Sequence, residues 1–515
     1  MGDQEVSVGP EPLTFEQVVA VARHGAQVTL STAAMAAMER SRAYIEDLAG
    51  RPTPAYGIST GFGALATRHI DPELRAKLQV SLIRSHAAGS GPEVEREVVR
   101  AMMLLRLRTL ASGHTGIKPV TATTLAALLN AGITPVVHEY GSLGCSGDLA
   151  PLSHVALALI GEGEVRDAEG TLLPTAAALD KAGITPVTLG AKEGLALING
   201  TDGMLGQLVL AMHDLHRLLT TADIAAAMSV EALLGTDRVF AADLQDLRPH
   251  PGQSFSAANL RAVLADSPIM QSHRGPDCTR VQDAYSLRCS PQVNGAARDT
   301  LAHAELVASR ELASAVDNPV VLDDGRVESN GNFHGAPVAY VLDFLAIPVA
   351  DVASMSERRS DRLLDVARSH GLPAFLADDP GVDSGHMIAQ YTQASIVSEL
   401  KRLAVPASAD SIPSSAMQED HVSMGWNAAR KLRRAVDGLA QVLAVEVLSA
   451  ARALDQRAPL RPGPATGAVV RALRETGVQG PGPDRFLAPE IARVTELVRG
   501  GAVIAAAESV TGPLT

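Results

Sequence analysis

The sequence predicts a mainly α fold, a bundle of long helices preceded by a Gly-rich N-terminal region, and three observations carry that prediction. Between Trp426 and about Gln456, the residues Leu432, Val436, Leu439, Leu443 and Val447 recur at helical spacing with arginines and acids between them. Leu205, Leu208, Met212, Leu215 and Leu219 repeat the pattern, and residues 336–365 form a third such run. Before residue 200 the texture changes to shorter helical stretches punctuated by STGFG, GSLGCSG and GEGE.

Each element has a local reason. The segment after Trp426 makes a rod about 45 Å long at 1.5 Å per residue, and a rod with one apolar face needs other rods to bury it. The 336–365 run is expected to open at Pro337, where a missing N–H costs nothing, and to kink at Pro348. AGITPV occurs at 131–136 and again at 182–187 with unlike flanks; glycine ending a helix ahead of an extended Thr-Pro explains both without a repeat. Pro/Gly clusters near 458–467 and 478–489 read as loops between short C-terminal helices, with RPGPATG the most mobile piece. The expected division is 1–202 for the N-terminal region and 203–515 for the long-helix bundle and C-terminal helices.

Composition narrows the function. With 515 residues, 46% of them hydrophobic, the chain can bury a large core. A net charge of -13 and 3% aromatic residues lack the basic, stacking surface of a nucleic-acid binder. The acidic start has no basic-then-apolar leader and no uninterrupted apolar run approaches the ~20 residues that span a bilayer, so a cytoplasmic protein without a membrane partner is expected. Three cysteines, Cys145, Cys278 and Cys289, do not make a disulfide framework. His213 and His216 share a helical face without a recognisable third ligand, so no metal is expected.

The stretch GSLGCSGDLAPLSH, 141–154, carries the chemistry. A nucleophile elbow needs glycine two residues either side of its serine, and Asp148 occupies the second place after Ser146. A thiolate at Cys145 needs a histidine or helix N-terminus beside it, and the sequence leaves open whether His154 or another histidine lies near it. The plain structural reading is a tight loop before a helix, with Asp148 as its N-cap.

Together with YGISTGFG (56–63), SHAAGSGP (85–92), GLALINGT (194–201), VQDAYSLRCSPQV (281–293), ESNGNFHGAPVAY (328–340) and SSAMQEDHVSM (414–424), this stretch resembles the aromatic amino-acid ammonia-lyases, block by block and in family order. The resemblance runs from about residue 15 to the mid-450s and is greatest with the histidine-specific, actinobacterial-type branch, which also carries Cys-Ser-Gly. It implies the aspartase-like helical bundle and a homotetramer whose active sites draw on three chains. It also implies a 4-methylideneimidazole-5-one (MIO) made autocatalytically from Cys145, Ser146 and Gly147, with no metal. In that chemistry the Gly147 nitrogen attacks the Cys145 carbonyl carbon, one water leaves, and a second water takes the Ser146 hydroxyl to leave an exocyclic methylene. Glycine suits the attack because it has no Cβ. Ser146 is consumed, and the Cys145 thiol is a bystander.

The resemblance also assigns roles. Tyr285 matches the proton-abstracting base, which starts from a reference pKa near ~10. Tyr56 matches the second catalytic tyrosine, Arg288 the clamp on the substrate carboxylate, and Asn199 the residue holding the substrate amine and the imidazolone oxygen. Gln282 and Phe333 match pocket residues. His86 and Glu419 mark an imidazole-reading site and point to L-histidine as substrate, with trans-urocanate and ammonia as products. One departure is Met417, where asparagine is usual. Tyrosine or phenylalanine ammonia-lyases and aminomutases share the cofactor and are the alternatives, ranked below by His86 and Glu419. The fumarase/aspartase class shares the start SSAM of its signature loop, but this chain continues QED instead of Pro and Lys. An inactive helical scaffold would not need an intact Cys-Ser-Gly and Tyr285.

Overall fold

The computed structural model describes residues 5–51, 58, 60–61, 70–275, 278 and 281–515. They form two compact units, each assembled from three chain segments. Unit 1 comprises Met1–Leu210, Glu305–Asp343 and Pro406–Arg430; unit 2 comprises Ala211–Ala304, Phe344–Val405 and Lys431–Thr515. The division falls inside the three long helices Asp202–Ala232, Ala336–Leu364 and Gly425–Asp455.

Those helices are the three periodic segments: two match the expected spans to within a residue, and the third runs past Leu219 to Ala232. Leu432, Val436, Leu439, Leu443 and Val447 are all buried, as are Leu205, Leu208, Met212, Leu215 and Leu219. Ala336–Leu364 continues through Pro348. By length and composition alone this helix is apolar enough to cross a membrane, but 61% of its apolar window is buried inside the protein. It also carries the fully buried Arg359. It is a core helix, buried against protein.

Unit 1 builds its site on shorter pieces. The helices Arg75–His86, Arg96–Ala111, Leu149–Leu159 and Glu193–Ile198 are joined by two- to four-residue strand pairs, among them Ser90–Glu93 antiparallel to His138–Tyr140. Both AGITPV copies behave alike at their glycines: Gly132 and Gly183 take φ of 69° and 67° just past helix ends, the left-handed region that glycine enters freely.

Unit 2 is organised around a buried ion pair. Arg359 Nε and Nη2 donate to the two carboxylate oxygens of Glu446 at 2.5 and 2.8 Å, and neither side chain is exposed. Glu446 also accepts from the Ser229 hydroxyl at 2.7 Å, while Arg359 Nη1 reaches the Ser286 carbonyl at 3.2 Å. A second buried carboxylate corrects the expectation for RPGPATG. Glu231 accepts the Gly463 N–H at 2.7 Å together with the Ser267 hydroxyl, and the helix Pro464–Glu475 begins inside the motif with Pro464 in its first turn. The segment is pinned because its backbone donor completes a carboxylate that burial holds above its ordinary pKa.

Removing one partner of the Arg359–Glu446 pair leaves an uncompensated buried charge. Glu446→Ala is expected to lower unfolding stability by about 3–5 kcal/mol, and Arg359→Met in the same chain to recover a large part of that loss. Chemical denaturation of the wild type and the two variants checks this.

Candidate active site

The 141–148 turn is tied at Leu143, Gly144, Gly147 and Asp148 to residues distant in sequence. Ser423 Oγ donates to the Gly144 carbonyl at 2.9 Å, and the Met424 N–H donates to the Leu143 carbonyl at 2.9 Å. The Asp148 N–H donates to the Gly200 carbonyl at 2.7 Å, and Gly147 pairs with Gly200 as an isolated parallel bridge. Gly147 has φ of 80°, and a Cβ there would overlap the Gly200 backbone. No other residue fits that place.

Asp148 stands at the N-cap of Leu149–Leu159, as expected, but its side chain does not cap that helix. It accepts instead from the Ser142 hydroxyl and from the Met204 N–H, both at 2.8 Å, and so ties the turn to the first turn of Asp202–Ala232. Burial pushes this carboxyl up to about 7 against the hydrogen bonds that favour its charge.

Cys145 packs with Val422 and Met424 in a small apolar cluster. Burial, reinforced by the Glu419 carboxylate, pushes its thiol up to about 12, so no thiolate is available near neutral pH. The same carboxylate acts on His86. Burial lowers the His86 pKa, and the Leu82 carbonyl and Glu419 partly oppose the fall. His86 Nδ1 lies 2.9 Å from the Leu82 carbonyl, which can only accept, so Nδ1 carries the proton and a neutral ring leaves Nε2 as an acceptor. Glu419 is braced by the Ser414 hydroxyl at 3.0 Å and by a backbone bridge to the same residue. Between them Ser415, Ala416 and Met417 take φ of 52°, 52° and 67°. Asparagine tolerates this left-handed region better than methionine, which gives the departure at Met417 a conformational cost.

Asn199 is buried. Its Nδ2 donates to the Asn318 carbonyl at 2.8 Å, and its Oδ1 has no hydrogen-bond partner among the described residues. An orphaned acceptor one residue from the Gly147–Gly200 bridge suits an amine or ammonium donor beside the tripeptide. These features fit the cofactor that the resemblance implies: a cradle that admits only glycine, a serine at its centre and a free acceptor alongside. Phe333 is half-buried in the link before Ala336–Leu364. Unit 1 thus brings Cys145, Ser146, Gly147, Asn199, His86 and Glu419 to one region, while Tyr56 lies outside the described residues.

Unit 2 holds the other three. Tyr285 opens the one-turn helix Tyr285–Arg288 with its side chain 70% exposed, and the Arg288 guanidinium lies 4.7 Å from its ring centroid. Gln282 is exposed just before this turn, and Arg288 Nε is buried without a hydrogen-bond partner among the described residues. The Asp283 carboxylate takes the Thr236 N–H at 2.7 Å, and Arg359 holds Ser286 from behind.

Several supporting residues escaped sequence reasoning. Arg106, within MMLLRLRTL, is fully buried and ion-paired to Asp202 at 2.6 Å; arginines interrupting an otherwise apolar helix were its signal. Lys192 and Asp317 form an unexposed pair at 2.5 Å, with no local signal for either. His334 and His421 stack with ring centroids 5.3 Å apart, beside Phe333 and two residues from Glu419, inside motif blocks already singled out.

Residues 13–475 match the aromatic amino acid lyase family. The chain is 68% identical to the histidine ammonia-lyase of Streptomyces griseus over 99% of both chains, and 67% identical to that of Streptomyces coelicolor over the same shares. Among solved structures, the tyrosine aminomutase of Streptomyces globisporus superposes with a TM-score of 0.93 at 39% identity, over 99% of this chain and 100% of that one. The histidine ammonia-lyase of Trypanosoma cruzi superposes with 0.90 at 38% identity, over 98% and 96%. A glycine-only cradle around Cys-Ser-Gly, a mainly helical fold and whole-chain similarity agree, and the chain belongs to the aromatic amino acid lyase family.

Proposed function

We propose that this protein is a histidine ammonia-lyase, converting L-histidine to trans-urocanate and ammonia without oxidation. The observation that carries the proposal is a pair of imidazole-reading groups, Glu419 and His86, in electrostatic contact beside the cofactor-forming tripeptide. A substrate imidazole offers an N–H to the carboxylate or to the acceptor Nε2 of His86. A phenyl ring offers neither, and leaves a desolvated carboxylate unpaired at a cost of about 1–3 kcal/mol. The tyrosine aminomutase shares the fold, so the backbone does not separate the two activities, and the choice of histidine rests on this polar pair.

Family members generally depend on the methylidene-imidazolone. In this chain we assign its formation to Cys145, Ser146 and Gly147. When present, the group supplies an electrophilic methylene that converts the substrate amine into a leaving group. The protein's own residues do the rest. Asn199 Oδ1 receives an N–H of the substrate amine. Arg288 holds the substrate carboxylate through its guanidinium fork. Tyr285 takes the β-proton as general base, with Tyr56 the second tyrosine of the site, and Gln282 and Phe333 shape the pocket. Glu419 and His86 hold the ring so that the β-carbon faces the base. The thiol of Cys145 takes no part, consistent with its raised pKa.

We further propose a homotetramer with shared active sites, acting in the cytoplasm. The large exposure of Tyr285 supports the assembly, since a tyrosine acting as a base works best sheltered from water.

Tyr285→Phe removes one hydroxyl and is expected to preserve the fold and the cofactor absorbance while lowering kcat by about 10²–10⁴-fold. Steady-state assays with L-histidine check this, and near-normal kcat would move the base elsewhere. Glu419→Gln keeps size and hydrogen-bonding atoms but removes the charge. Its kcat/KM for histidine is expected to fall about ten- to a hundredfold, the value of one charge-assisted hydrogen bond, with a smaller change for tyrosine and phenylalanine. Unchanged discrimination among the three substrates would remove Glu419 as the reader of the imidazole.

A further inference from the structure

The wall against which Gly147 is pressed is braced by a buried arginine. Arg106, on the helix Arg96–Ala111, is fully buried. Its Nη1 donates to the carbonyls of Ala196 at 2.9 Å and Asn199 at 3.1 Å, its Nη2 donates to the Val316 carbonyl at 3.2 Å, and Asp202 Oδ2 lies 2.6 Å from Nη2. These contacts enclose Asn199–Gly200 from both sides along the chain, from the helix Glu193–Ile198 to the start of Asp202–Ala232. A Cβ on Gly200 would overlap Arg106 Nη2, as a Cβ on Gly147 would overlap Gly200. Arg106, Gly200 and Gly147 are therefore stacked in direct succession, guanidinium against backbone against backbone.

This stack has an energetic reason beyond packing. Burying a guanidinium is costly unless its donors are used and a counter-charge is near; here Nη1 and Nη2 are engaged and Asp202 supplies the charge, while Nε has no partner among the described residues. The forked geometry is what lets one side chain hold three carbonyls and a carboxylate at once. Three of those four anchors belong to the segment 196–202, the piece that carries the Gly200 carbonyl to the Asp148 N–H.

We infer that Arg106 is a positioning residue for maturation: it fixes the Gly200 backbone as a rigid stop that holds Gly147 in the compressed conformation from which the ring closes. In that closure the Gly147 nitrogen bonds to the Cys145 carbonyl carbon. The carbonyl oxygen leaves as water with the Gly147 and Ser146 amide hydrogens, and the Ser146 hydroxyl leaves as a second water with its Cα hydrogen. No oxidant or co-reactant is needed, only the turn held in place. The inference rests on the cyclisation proposed above.

The test compares intact and peptide masses of the wild type, Arg106→Lys and Arg359→Lys. Lysine keeps the charge opposite Asp202 but cannot reproduce the fork. Arg359→Lys makes the same change in an equally buried ion pair of unit 2 and controls for general loss of stability. The wild-type peptide containing 145–147 should be lighter than its sequence by two waters; if it has full mass, the cyclisation itself is wrong. Given a matured wild type, most Arg106→Lys chains should be folded by circular dichroism yet retain the full peptide mass, while Arg359→Lys chains mature completely. Should Arg106→Lys not fold, Asp202→Asn, which loosens the same fork by removing its counter-charge, is expected to slow maturation in a time course of peptide mass. A folded Arg106→Lys, or in its place Asp202→Asn, that matures at the wild-type rate overturns the inference. Equal loss of maturation in the Arg359→Lys control overturns it too.

Discussion

The approach of two glycine backbones, Gly147 to Gly200, sets what the rest of unit 1 must do. The Asp148 N–H to Gly200 carbonyl bond of 2.7 Å closes the turn on a segment some fifty positions downstream, and neither glycine has room for a Cβ. A turn held this way is expensive to leave to chance, because glycine loses more conformational freedom on ordering than any other residue. The surroundings offset that cost with bonds of long sequence separation: Ser423 to Gly144, Met424 to Leu143, and Asp148 to Met204. Each uses a polar group that would otherwise be buried without a partner.

The same turn gives two neighbours, Cys145 and Ser146, unlike surroundings. Cys145 is turned into an apolar cluster where burial keeps its thiol protonated, and the nearby Glu419 carboxylate strengthens that effect. Ser146 remains less buried than either neighbour. One carboxylate therefore acts on two neighbours: it helps keep the Cys145 thiol protonated and partly opposes the fall in the His86 pKa. Such economy is available only in a low-dielectric pocket, where a single charge reaches several groups.

Much of this was legible in the sequence. The three long helices declared themselves through apolar spacing, because a helix that buries one face over thirty residues leaves a periodic record. The turn at 141–148 stood out as a cramped run of small residues, and the blocks around Asn199, Tyr285 and Glu419 through their resemblance to the family. What was not legible was who holds the turn. Asp148 looked like a local helix cap and instead serves the helix at Asp202, since the competition between caps is decided by tertiary proximity. Arg106, Lys192 and Asp317 sit in stretches with no motif, and their pairing spans up to 125 positions. RPGPATG read as mobile because its composition favours loops, but a buried carboxylate elsewhere in the chain needed its backbone N–H.

The central claim is that a ring built from Cys145, Ser146 and Gly147 serves the deamination of histidine. Its most direct test is the ultraviolet band of trans-urocanate when purified protein is given L-histidine, run beside Ser146→Ala. The account predicts urocanate and ammonia in equal amounts from the wild type and almost none from the folded variant. Equal turnover by Ser146→Ala, or no urocanate from wild-type protein that has lost its two waters, would contradict it.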